Sequence, residues 1–154
     1  MPTAKSKIKY IAFYNDKELA KDESRSINLA VTNKVNYVCS VLTRNGYDVE
    51  IVSPCWSESK SGFYKGKVYD IPGGARLRMF ASFGGMGRAA KKAKQLFAAL
   101  QLLLYLLLRT KKHEKVLVYH SLALMIPVGI ARAVKKLKVV LEVEEIYTTV
   151  WKNK

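Results

Sequence analysis

Apolar positions recur along this chain in two rhythms. Residues 9–14 (KYIAFY) form a short β-branched and aromatic run closed by the turn formers Asn15 and Asp16, which predicts a buried strand. A polar stretch follows, and then Ile27, Ala30, Val31, Val35, Val38, Val41 and Leu42 recur at spacings of three and four, one face of a helix over 27–44. Asn45 and Gly46 tolerate the left-handed conformation and stop that helix. Residues 47–53 (YDVEIVS) alternate as a strand that Pro54 ends.

Residues 55–67 (CWSESKSGFYKGK) read as a Ser/Gly/Lys-rich loop. Two extended pieces, 68–71 and 75–80, flank the turn at Pro72, Gly73 and Gly74, and the cluster Gly84, Gly85, Gly87 leads into a long helix over 88–109. A strand over 114–120 (EKVLVYH), a helix over 121–137 with a bend or break at Pro127, and a strand over 138–143 (KVVLEV) complete the pattern. Nearly all-apolar strands separated by helices predict an α/β fold. The expected form is a Rossmann-like parallel sheet with helices on both faces, as one domain over 1–154. Ligands of such sheets bind at the carboxyl ends of strands, which directs attention to 15–26, 54–61, 83–88, 120–123 and 142–147.

Composition narrows the class. The chain has 154 residues, 49% hydrophobic and 25% charged, as expected of a globular domain rather than a disordered segment. Lys and Arg number 27 against 12 Asp and Glu, a net charge of +15 that favours polyanions: nucleic acid, anionic lipid headgroups or phosphorylated small molecules. No zinc-finger spacing or aromatic strand motif of an RNA-binding sheet occurs, so no specific nucleic-acid partner is expected. The two cysteines, Cys39 and Cys55, have no metal-ligand spacing, so no metal is expected and the pattern suits a reducing compartment. The first residues lack the apolar core and cleavage site of a secretory signal, which points to the cytoplasm.

The run from Leu96 to Leu108 is apolar except for Gln101 and Tyr105. As a helix it extends about 20 Å at ~1.5 Å per residue, whereas a bilayer core needs ~30 Å. It is too short to span. Arg88, Lys91, Lys92, Lys94, Arg109, Lys111 and Lys112 flank it, and it lacks the polar stripe of an ordinary sheet-covering helix. Two readings remain, a core helix covered by the sheet and its neighbours or a peripheral contact with an anionic membrane, on its inner face, and the second is the expectation.

Residues 85–90 (GMGRAA) match G-x-G-x-x-A before a helix, a loop whose free N–H groups, helped by Arg88, hold phosphate in other proteins. No acidic residue follows the next strand to take a ribose, so no nicotinamide cofactor is expected. Ser26 is the expected cap of the first helix. Trp56, Phe63 and Tyr64 form either an aromatic platform for a sugar or lipid or a loop folded onto its own core.

Three segments carry a resemblance: IAFYND at the first strand and turn, VLTRNGYDVEIVSP from helix to second strand, and VLVYHSL followed by VVLEVEEIY. Together they resemble the N-terminal domain of a GT-B glycosyltransferase of family 4, over nearly the whole chain. The resemblance implies a hexosyltransferase-like acceptor-binding half. A second Rossmann half, as a domain or separate subunit, would bind the nucleotide-sugar, and a glycan or lipid-linked molecule would accept the sugar. The sequence stops at Lys154 where the first half would continue, so transfer by this chain alone is not expected. His120 is placed at the interdomain cleft with a catalytic role, its alternative being a strand-end histidine bonded to a neighbouring carbonyl. Glu144 and Glu145 are further catalytic candidates, and the alternative for them and for Glu142 is ion pairs with lysines. Asn15, Asp16, Arg25, Ser26, Asn28, Gly85, Gly87, Arg88, Ser121 and Glu142 are the implied substrate contacts, with no cofactor. The competing reading is a non-catalytic, membrane-associated scaffold subunit of a glycosylation complex.

Overall fold

The computed structural model describes residues 6–16, 18–19, 23–26 and 28–142. Among them the elements run β1 (Lys7–Ile11), α1 (Leu29–Arg44), β2 (Asp48–Ser53), β3 (Phe63–Tyr64), β4 (Lys67–Asp70), β5 (Arg76–Met79), β6 (Ser82–Phe83), α2 (Gly87–Arg109), β7 (Lys115–Tyr119), α3 (Leu122–Lys135) and β8 (Lys138–Glu142). Six strands form one sheet in the order β4-β5-β2-β1-β7-β8, and β3 pairs with β6 in a separate two-stranded patch. All neighbours in the large sheet are parallel except the edge strand β4, which is antiparallel to β5. The fold is thus α/β with a mostly parallel sheet, compatible with a Rossmann-like arrangement.

Alternation along the strands builds two cores. Tyr10, Val49, Ile51 and Leu77 face α1, where Val31, Val35 and Cys39 recur at helical spacing to meet them. Ile11, Val52, Val116 and Val118 face the other way, against Leu102 and Leu106 of α2 and Leu124, Val128 and Ala131 of α3. The central strand β1 therefore contributes to both layers.

The helix ends correct the sequence expectation in one respect. Asn28, not Ser26, caps α1: its Oδ1 accepts from the N–H groups of Ala30 at 3.1 Å and Val31 at 3.3 Å. Such a cap stabilises by about 1 kcal/mol. At the other end the Asn45 N–H reaches the Val41 and Leu42 carbonyls, and Gly46 takes a φ of +81° that a side chain would disfavour. Helix α3 runs unbroken through Pro127, which is buried. The missing N–H loses one helix bond without ending the helix.

Three further differences have local causes. Strand β1 begins at Lys7 and ends at Ile11, because the Tyr14 N–H turns back to the Ala12 carbonyl at 2.9 Å and pairing stops before Phe13. The connection from β2 to β5 carries no helix; the extended pieces around Pro72 form the β4–β5 hairpin instead, leaving α1 as the one helix on its face among the described residues. The 55–67 loop also contributes β3, in which Phe63 pairs with Phe83 and Tyr64 with Ser82. Two-residue strands are too short to show a period.

Candidate functional site

Strands β1 and β7 are parallel neighbours, with Tyr10 opposite Leu117 and Ile11 opposite Val118. The chain leaves β1 toward α1 on one face and leaves β7 toward α3 on the other, so the two connections part at the carboxyl edge. That divergence is where open α/β sheets bind ligands. His120 stands exposed there, its ring centroid 4.4 Å from that of Tyr119 with the planes tilted by 37°. Ser121 is the N-cap of α3 and makes no side-chain capping bond; its carbonyl accepts from Leu124 and Met125 at 3.0 Å each. Helix geometry leaves the preceding N–H groups pointing outward from this end.

On the α1 side of the same edge, Glu142 ends β8 directly opposite Tyr119. Its Oε1 lies 2.9 Å from Lys34 Nζ, and its Oε2 accepts from the Tyr10 hydroxyl. Lys34 Nζ also lies 5.7 Å from the Tyr119 ring centre, so Tyr119 connects His120 to the Lys34–Glu142 pair. Burial, and then the bond to Glu142, push the Tyr10 phenol well above its usual range, while burial and the Glu142 charge push the Cys39 thiol up to about 12. Both groups stay protonated near neutral pH. Glu142 therefore has the lysine pairing that was the simpler alternative for these glutamates, although it remains at the edge beside His120. Glu144 and Glu145 lie outside the described residues.

The residues after β1 serve mainly to hold the loop. Asn15 is buried: its Nδ2 donates to the Arg25 carbonyl at 3.0 Å and its carbonyl accepts from Thr32 Oγ1 at 2.9 Å. Its Oδ1 is buried and has no hydrogen-bond partner among the described residues. Asp16 accepts from the Glu18 N–H at 2.9 Å, forming a local turn. Arg25, an expected substrate contact, is placed inside the fold. Its side chain is 0% exposed, with its guanidinium bonded to Glu23 at 2.7 Å, the Phe80 carbonyl at 2.8 Å and the Cys55 carbonyl. It ties the post-β1 loop to the ends of β2 and β5. Ser26 is exposed, and the Asn28 side chain is occupied as a cap.

The glycine segment is also committed internally. The Gly84 N–H donates to the Gly62 carbonyl at 2.8 Å and the Gly85 N–H to the Ser59 carbonyl at 2.9 Å, so the Gly85 donor expected to face phosphate is taken. Lys94, read from sequence as a flanking charge, is buried and donates to the carbonyls of Ser57 at 2.9 Å and Gly85 at 3.1 Å, clamping the loop onto α2. Gly87 and Arg88 open α2, where Arg88 is exposed. Trp56 packs edge-on against Phe13 at 5.5 Å, which is the fold-back use of a loop aromatic.

Sequence reasoning missed a second polar centre, at the amino ends of the strands. A cleft of about 430 Å³ is lined by residues including Lys9, Glu50, Arg78, Tyr105 and Glu114. Lys9 Nζ donates to the Tyr105 hydroxyl and the Arg109 carbonyl at 3.0 Å each and lies 3.4 Å from both Glu50 and Glu114. Burial works to raise the Glu50 carboxyl. Hydrogen bonds from Tyr105 and Arg78, each 2.7 Å, and the Lys9 charge outweigh it and hold Glu50 below the usual carboxylate range. The same bonds that lower Glu50 satisfy the donors around it, which marks a structural network. Lys9 and Glu50 are register partners, so correct β1–β2 pairing was the signal needed.

No group of three or more His, Cys, Asp or Glu among the described residues is arranged to hold a metal ion. No protein-family model and no curated protein sequence matches the chain.

Proposed function

We propose that this chain is the acceptor-binding half of a GT-B glycosyltransferase similar to family 4, acting in the cytoplasm with a donor-binding Rossmann half that holds the nucleotide-sugar. The observation that carries the reading is the carboxyl edge between β1 and β7. There exposed His120 and the amino end of α3 are linked through Tyr119 to the Glu142–Lys34 pair, and His120, Ser121 and Glu142 fall in segments that carry the resemblance (VLVYHSL, VVLEVEEIY). An imidazole both donates and accepts, and so suits a sugar hydroxyl that loses its proton during transfer. Outward N–H groups at a helix start suit a negatively charged acceptor group.

Two measurements test it. Soluble oligosaccharides titrated into the isotope-labelled chain should give saturable NMR shifts at His120 and Ser121; shifts absent from this edge across a broad oligosaccharide panel oppose the reading. In a mixture with a donor-binding Rossmann polypeptide and radiolabelled nucleotide-sugars, His120→Ala should abolish transfer while leaving the circular dichroism unchanged. Undiminished transfer by that variant removes the catalytic role of His120.

A further inference from the structure

Helix α2 divides its leucines between two environments. Ala98, Leu102 and Leu106 are buried on the sheet, whereas Leu96, Leu100, Leu104 and Leu108, one turn apart, are between 49% and 75% exposed. Helix α3 repeats the division: Leu124, Val128 and Ala131 are buried, whereas Leu122, Ile126, Ile130 and Val134 are between 47% and 80% exposed. The two helices pack side by side, and Lys135 Nζ fastens them by donating to the Leu107 carbonyl at 2.6 Å and to that of Thr110. Two apolar stripes thus lie on one layer of the fold, at regular helical spacing rather than as single scattered leucines. The sequence showed only the leucine excess of α2; the contribution of α3 comes from the packing.

From these stripes we infer that the outer surface of the α2–α3 layer docks on an anionic lipid bilayer, seating the exposed leucines, isoleucines and Val134 among the acyl chains near the headgroups. Charge selects this occupant. Exposed Arg88, Lys91 and Lys92 stand at one end of α2, and exposed Arg109, Lys111 and Lys112 at the other. A second copy of the chain, itself carrying +15, would bring basic ends against basic ends in either orientation of the helices. Nucleic acid offers phosphate but nothing to cover eight apolar side chains. A plane of acidic headgroups over acyl chains meets both requirements. No helix among the described residues is long and apolar enough to cross a membrane, so the contact is interfacial. The docking layer lies on the face of the sheet opposite α1, and the inference stands whether or not the chain takes part in sugar transfer.

Co-sedimentation of the full chain with phosphatidylcholine–phosphatidylglycerol vesicles tests the surface. The wild type should partition onto these vesicles and much less onto pure phosphatidylcholine. Leu100→Gln/Leu104→Gln/Ile126→Gln/Ile130→Gln changes only exposed positions and should lower partitioning at least about tenfold with unchanged near-ultraviolet circular dichroism. The control Leu29→Gln/Val41→Gln, exposed on α1 across the sheet, should partition like the wild type, which separates this surface from general loss of structure. Absence of wild-type binding overturns the inference. So does binding that the quadruple change leaves intact, which would be charge attraction alone, or a wild-type dimer without vesicle binding that the quadruple change dissolves.

Discussion

Replacing Lys9 by methionine would remove the cation shared by the buried Glu114 and the half-buried Glu50 while keeping most of the side chain's apolar stem. Lys9 is 7% exposed at its side chain, Glu50 16% and Glu114 5%, and both carboxylates lie 3.4 Å from the ammonium. Removing one partner of a buried pair costs about 3–5 kcal/mol. Glu50 keeps Arg78 and Tyr105, which places the expected loss near the lower end, about 3 kcal/mol. For a chain of this size each kcal/mol moves Tm by about 2–4 °C, so Lys9→Met should melt about 6–12 °C lower at neutral pH. The pH dependence identifies the cause. Glu50 has a folded-state carboxyl below its unfolded value, so its contribution is complete above the unfolded pKa and is lost as pH falls through the folded one. Without Lys9 that lowering is smaller and less is lost on acidification. The deficit of the variant should therefore narrow between neutral pH and about pH 4, where carboxylates begin to protonate. Thermal melts of both proteins followed by circular dichroism at the two pH values measure it. An equal deficit at both would assign the loss to packing and refute the electrostatic account, as would an unchanged Tm.

Other parts of the fold give equally direct expectations. Arg25→Met strands the buried carbonyls of Cys55 and Phe80, at about 1–3 kcal/mol for each unpaired group, and should lower the urea midpoint. Arg25→Lys should recover less than half, because an ammonium lacks the planar fork that reaches three acceptors. A side chain at Gly84 would overlap the Ser61 backbone, whereas one at Gly129, inside α3, meets nothing within 4 Å. Gly84→Ala should therefore destabilise the protein in chemical denaturation, and Gly129→Ala should stabilise it by about 0.5–1 kcal/mol. Burial pushes the thiols of Cys39 and Cys55 up to about 12 and about 11. Iodoacetamide should alkylate both at least about a hundredfold more slowly in the native protein than in denaturant, measured by mass spectrometry; rapid native labelling of either would contradict its burial.

Much of this fold is local in origin. The spacing of Val31, Val35 and Cys39 and the stop at Asn45–Gly46 are α1 in outline, since a 3.6-residue period and a left-handed glycine depend on neighbours in the chain. The Asn28 cap was displaced from Ser26 because both residues suit the position and only the path of the loop after β1 chooses between them. The β3–β6 pair left no periodic trace because each strand has two residues. The candidate edge was legible in part: His120 and Ser121 follow an unmistakable strand and fall at the junction of β7 and α3. Arg25 was not, since the same basic side chain serves a ligand or three acceptors of its own fold, and the difference lies in residues up to 55 positions away.

The sequence by itself determined the α/β class, the order of the principal strands and helices, the basic excess and the failure of Leu96–Leu108 to span a bilayer. Each follows from composition, local period or length. Only the tertiary structure decided that Lys9, Lys94 and Arg25 are internal, because burying a charge is tolerable where distant acceptors converge on it. Only the packing, too, divided the leucines of α2 between core and surface and aligned the exposed ones with those of α3. A helix can bury just one side on a sheet, and the sequence does not say which side that is when both are apolar.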